Sequence, residues 1–120
     1  MPWQYSQRTG QLTRNGQAAG TGYSGKGAGR NNPNLEQVRN IGPVPRGRYR
    51  IGHAYAHPAK GPVTMSLSPI GHLAHGRTDF LIHGDSRNRP GDASEGCIIL
   101  IPDVRRLIAA SGDTVLEVVE

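Results

Sequence analysis

Two residues in this chain have the types and spacing to do chemistry together: His83, in Ile82-His83-Gly84-Asp85, and the only cysteine, Cys97, in Ser94-Glu95-Gly96-Cys97. A thiol becomes a competent nucleophile when a neighbouring histidine holds it as thiolate. The two need only meet once the intervening loop folds back. Fourteen positions separate them, enough for a strand-end histidine and a turn cysteine to face each other across a short connection. Gly84 and Gly96 flank the pair and read as exposed turns that admit a substrate. Backbone N–H groups near Gly96 and Cys97 are candidate oxyanion donors, and Ser94 is a candidate to order that turn. Asp85, Ser86 or a main-chain carbonyl next to Gly84 could fix the tautomer of His83. Arg77, ahead of the histidine strand, could grip a substrate carboxylate, and His75 is a further candidate for substrate binding or for orienting the base.

Each residue also has a plainer reading. Cys97 could be a small apolar residue in a buried strand, His83 a strand cap bonded to a carbonyl, and Ser94 an ordinary loop hydrogen-bonder. His53 with His57, and His72 with His75, raise the question of a metal. Such spacing suits zinc only on a helix or tight loop with further ligands, so no metal site is expected. Asp79, Asp85, Asp92 and Glu95 could suggest a glycosidase pair, but the cysteine makes that scheme unnecessary.

The elements that must position the pair are short and β-like. Asn15-Gly16 and Thr9-Gly10 read as hairpin turns between segments 3–6, 11–14 and 17–21. Residues 22–45 are rich in glycine, asparagine and proline and read as a long loop with one helical turn, bordering the cleft or simply crossing the surface. Segments 47–55, 63–68 and 79–83 read as core strands, and the apolar run after Cys97 as a strand that holds the cysteine. The single helix follows Pro102, with Val104, Leu107 and Ile108 on one face and Gly112 as its stop. Residues 114–119 form the last strand. The fold class is therefore mainly β, a sheet or barrel of short strands with one helix near the C-terminus; too few helices occur for a parallel α/β fold.

The chain has 120 residues, which fits one domain over 1–120, and its seventeen glycines and nine prolines fit a turn-rich β protein. One cysteine excludes an intramolecular disulfide. The start, Met1-Pro2-Trp3-Gln4, has no basic region followed by an apolar run, so neither an ordinary signal peptide nor a membrane span is expected. A net charge of +5 favours acidic surroundings, whether nucleic acid, anionic lipid or a cell-wall polymer, and charge alone selects none of them. The basic residues are dispersed and the aromatics few, which argues against a nucleic-acid platform.

At the histidine and cysteine motifs the chain resembles the L,D-transpeptidase catalytic domain of the YkuD type, with His83-Gly84 and Ser94-Glu95-Gly96-Cys97 supplying its pattern. The wider likeness is to small L,D-transpeptidase and L,D-carboxypeptidase effectors of type VI secretion. It rests on Trp3-Gln4-Tyr5-Ser6, Gly10-Gln11-Leu12, Gly22-Tyr23-Ser24-Gly25, Gly42-Pro43-Val44-Pro45-Arg46-Gly47 and His75-Gly76-Arg77-Thr78-Asp79-Phe80. Glu95 stands where the common motif has a second histidine, so that histidine's role is not carried over. The resemblance implies a β-rich fold, peptidoglycan stem peptides as substrate, no cofactor, and attack by Cys97 on the L-centre carbonyl of meso-diaminopimelate. His83 would assist and D-alanine would leave. It also implies delivery by a specialised secretion system, action in the periplasm of a target bacterium, and a cognate immunity protein.

Two other readings stay open at this stage. One is a cysteine peptidase or amidase cutting another wall peptide bond, although a papain-like nucleophile normally precedes its histidine, the reverse of the order here. The other is a noncatalytic basic module that binds wall or nucleic acid, with Cys97 merely structural.

Overall fold

The computed structural model describes residues 2–120; Met1, with which the sequence-based expectation about the start of the chain begins, lies outside them. The strands are β1 (Trp3–Ser6), β2 (Gln11–Arg14), β3 (Gln17–Thr21), β4 (Tyr23–Ser24), β5 (Gly47–Ile51), β6 (Tyr55–His57), β7 (Gly61–Ile70), β8 (Phe80–His83), β9 (Ile98–Ile99) and β10 (Val115–Val119). One α-helix, α1 (Pro102–Ser111), precedes β10. Among the described residues no helix is long and apolar enough to cross a membrane.

The sheet runs β3-β2-β1-β10-β5-β7-β8-β9-β4, with β6 paired to β7. Its two end strands, β3 and β4, are consecutive in the chain and joined through Gly22 alone, so the sheet curls into a nearly closed barrel. Gly22 donates to the Gly10 carbonyl at 2.8 Å, and a side chain there would strike the Ile99 carbonyl and Leu100. Only glycine lets the two ends approach this closely.

Local chemistry accounts for the elements. Asn15 and Gly16 have φ of 54° and 77°, the left-handed pair that a two-residue hairpin needs. In β1 the alternation buries Trp3 and Tyr5 beside Leu12, Leu116 and Val118. Pro102 opens α1 and Gly112, at φ 78°, ends it.

Three expectations changed. The helix buries Val104, Arg105 and Ile108, while Leu107 is 49% exposed, because the Arg105 guanidinium finds backbone carbonyls beneath the helix. The predicted strand 47–55 breaks at residues 52–54, where Gly52 bonds the Ser66 carbonyl and the chain starts the separate β6. Residues 22–45 open with β4, which pairs with β9, and then make two 3-10 turns, at Gly27–Gly29 and Pro33–Leu35.

Candidate functional site

β8 and β9 lie side by side in parallel, with Ile82 opposite Ile98 and His83 opposite Ile99. Alternation sends Ile82 and Ile98 into the core and puts His83 on the same face as Cys97, one residue ahead of β9. Both residues line one groove of about 980 Å³. Gly84, Asp85, Ser86, Gly96 and Arg77 line it too, whereas Ser94 lies behind its wall and His75 is not brought to it.

His83 is 1% exposed, and its Nδ1 lies 2.8 Å from the Gly84 carbonyl oxygen. A carbonyl only accepts, so Nδ1 carries the proton and Nε2 presents a lone pair. Nε2 is buried without a hydrogen-bond partner. Burial lowers the imidazole's pKa from its usual 6.5; the Gly84 hydrogen bond opposes this, and the charges of Lys60, Arg105 and His57 add to it. Of the groups considered for orienting the base, the main-chain carbonyl of Gly84 makes the contact. Asp85 instead accepts from Tyr23 Oη at 2.7 Å and from the N–H groups of Ser86 and Gly91, holding the loop after β8. Ser86 Oγ accepts from Arg89 N–H within the same loop.

The Cys97 thiol lies 3.9 Å from the Asp79 carbonyl oxygen. Burial raises its pKa above the usual 9.0 and Glu95 adds to the rise, while the Leu81 N–H and the charges of Lys60 and Arg77 favour the thiolate. A raised thiol and a lowered imidazole make a neutral resting pair. That differs from the histidine-held thiolate of the sequence reading, because burial penalises both charges. A neutral pair suits proton transfer at the moment of attack.

The cysteine turn is built around Ser94, which is fully buried. Its Oγ donates to the Cys97 carbonyl at 2.6 Å and accepts from Gly25 N–H at 2.9 Å and Gly96 N–H at 3.1 Å. The Gly96 N–H, offered by the sequence to an oxyanion, is therefore spent inside the turn. Gly96 has φ 134°, and a Cβ there would lie 2.5 Å from Arg77 Nη2. Both the backbone and the packing demand glycine.

Arg77 has a different occupation from the substrate carboxylate considered for it. Its guanidinium is buried and donates to four carbonyls: Glu36 at 2.6 Å, Pro43 at 2.8 Å, Gly42 at 3.0 Å and Glu95 at 3.1 Å. It clamps segment 22–45 to the cysteine turn. His75 Nε2 lies 3.2 Å from Glu36 Oε2, in a polar cluster with Arg46 and Gln7.

Sequence reasoning missed Arg105, Tyr23 and Lys60. Arg105 donates to Leu100, Pro62 and Val63 carbonyls and packs under Gly84, where a Cβ would lie 2.8 Å from its Nη2. Its place beside Val104 and three residues before Ile108 was the signal that it shares the buried face. Tyr23 carried no comparable signal, since it reaches the site through the pairing of β4 with β9, distant in sequence, and Lys60 sits in the local turn between β6 and β7, which shows its place at the groove only once β7 is paired with β8.

Among the described residues no group of three or more His, Cys, Asp or Glu side chains is placed to hold a metal ion. His57 Nδ1 accepts from Ala59 and Lys60 N–H groups, and His72 bonds Arg48 and Ala74. Compared with known proteins, residues 18–115 match a family model described as the Tlde1 domain, a span that holds both His83 and Cys97. No curated protein matches the chain.

Proposed function

Since the chain belongs to the Tlde1 domain family, a type VI secretion effector family of L,D-transpeptidase-like kind, we propose that it is a peptidoglycan-modifying cysteine enzyme acting on stem tetrapeptides. The observation that carries this reading is His83: a buried base whose Nδ1 is held by Gly84 and whose Nε2 is unpartnered, in the groove that also holds Cys97. A buried acceptor without a partner is costly, and a reacting proton is a reason to keep one.

In the reaction, His83 Nε2 takes the Cys97 thiol proton as Sγ attacks the carbonyl carbon of the diaminopimelate L-centre. The tetrahedral intermediate collapses, the C–N bond breaks, and the imidazolium gives its proton to the departing D-alanine amine. The acyl group now rests on Sγ as a thioester. Water, deprotonated by His83, releases tripeptide; the amine of a free D-amino acid gives exchange or transpeptidation instead. The whole chain 1–120 acts as one catalytic domain. It works in the periplasm of a target bacterium after delivery by a specialised system, and an immunity protein that covers the groove protects the producer.

The test uses purified wild type, Cys97→Ala and His83→Ala with a diaminopimelate-containing tetrapeptide muropeptide, with and without a free D-amino acid, read by mass spectrometry. Tripeptide or exchanged tetrapeptide from wild type alone is expected. No product, or equal product from the variants, overturns the reading.

A further inference from the structure

The groove is lined by charges of both signs, and they differ in what they are free to do. Arg77 is spent on carbonyls and Asp85 on its own loop. Arg39, Lys60 and Arg87 line the groove and form no ion pair among the described residues. Lys60 stands apart from the other two cations, because its charge bears on both the Cys97 thiol and the His83 imidazole. Its backbone is also fixed: it sits in the turn between β6 and β7, where His57 Nδ1 accepts the Ala59 N–H at 3.0 Å and the Lys60 N–H at 3.1 Å. A cation without an ion-pair partner among the described residues thus extends from a pinned hairpin into the groove that holds His83 and Cys97.

In acyl transfer from a peptide, the nucleophile marks the scissile carbonyl and the base marks the leaving nitrogen. When the leaving residue is the last of its chain, its carboxylate carbon is two bonds from that nitrogen. A cation close to both nucleophile and base therefore stands where this carboxylate must come. We infer that Lys60 is the specificity residue that binds the free α-carboxylate of the leaving amino acid, so that only a C-terminal residue is removed. This rests on the acyl-transfer reading of Cys97. Asp79, just ahead of β8, and Glu95, in the cysteine turn, line the groove, and they disfavour a carboxylate at that end. Asp92 faces Arg89 at 3.9 Å and is partly neutralised.

Two measurements on wild type, Lys60→Gln and Lys60→Arg test it. Because Cys97 is the only cysteine, alkylation reports this site alone. The rate with anionic iodoacetate relative to neutral iodoacetamide should fall roughly three- to ten-fold in Lys60→Gln and be kept in Lys60→Arg, the size of one charge's effect at a partly screened site. With stem tetrapeptide as free acid or as C-terminal carboxamide, wild type should favour the acid by about ten-fold or more in kcat/KM, as for a charge-assisted contact. Lys60→Gln should bring the two substrates together, and Lys60→Arg should restore the preference. An unchanged alkylation ratio, or an acid preference that survives in Lys60→Gln, overturns the assignment. If wild type acts on neither peptide while the alkylation ratio still falls, the acyl-transfer reading and the carboxylate role fall, and the anion site at Lys60 stands.

Discussion

Replacing Arg77 by methionine keeps most of the side-chain volume and deletes the guanidinium that joins segment 22–45 to the cysteine turn. Four carbonyls lose their donor: Glu36, Gly42 and Pro43 on one side and Glu95 on the other. A buried polar group left unsatisfied costs about 1–3 kcal/mol, so a straight sum gives about 4–12 kcal/mol. The upper part would exceed the stability of many domains this size. The segment will relax and admit water, so the expected loss lies toward the lower end of that sum, about 3–5 kcal/mol. For a chain of this length each kcal/mol moves Tm by about 3–5 °C, giving a drop of roughly 10–20 °C. Thermal unfolding followed by circular dichroism measures it, and limited proteolysis should cut first within residues 22–45. Arg77→Lys should fall between, since one ammonium cannot reach four carbonyls. A Tm within about 2 °C of wild type, with a raised KM as the only defect, would refute this account and return Arg77 to the substrate.

The neutral resting pair predicts a bell-shaped kcat/KM, with an acid limb below the ordinary 6.5 of histidine and an alkaline limb above the ordinary 9.0 of cysteine. A thiol alkylation profile turning below pH 7 would show an ion pair instead. The same lowered His83 pKa makes stability fall with acidification below 6.5, because the unfolded chain binds the proton more readily; His83→Gln should flatten that slope in chemical denaturation. Glu36 is held at about 2: burial pushes its carboxyl up, but hydrogen bonds from Arg46, Gln7 and His75 outweigh it. Its contribution is present above 4.5 and lost as pH falls from 4.5 toward 2, so Glu36→Gln should remove that part of acid unfolding. Ser94→Ala strips the hydroxyl of three hydrogen bonds and should cost about 2–3 kcal/mol in urea denaturation together with most of the activity.

Much of the strand order along the chain was legible because its signals are local. Asn15-Gly16 supplies the left-handed pair a tight hairpin requires, and Pro102 with Gly112 brackets the helix within one residue of its ends. The placement of His83 and Cys97 in one groove was legible in part, from glycine-flanked residues next to apolar runs. Other features were hidden because their causes lie far along the chain. β4 is two residues in a glycine- and asparagine-rich stretch, too short to show a period, and exists only because β9 is there to pair with it. Arg77 was read as a grip for a substrate carboxylate because a guanidinium satisfied by backbone carbonyls has no partner that a sequence can display. Leu107 fitted an apolar helical face better than Arg105, yet the carbonyls of Pro62 and Val63 decided which of them is buried.

β1 and β10 lie in parallel in the middle of the sheet, Trp3 against Leu116 and Tyr5 against Val118, more than a hundred residues apart in sequence. Contacts of that separation are among the slowest to form. While residues 115–119 are missing, β1 has lost its link to β5, β1 to β3 reach the rest of the sheet only through Gly22 and β4, and Trp3 and Tyr5 have lost Leu116 and Val118. A ribosome-bound chain that already includes both His83 and Cys97 is then still without a finished sheet to hold them. Turnover would wait for β10 to pair, and a fragment ending at residue 114 should show a freely alkylated thiol and no turnover.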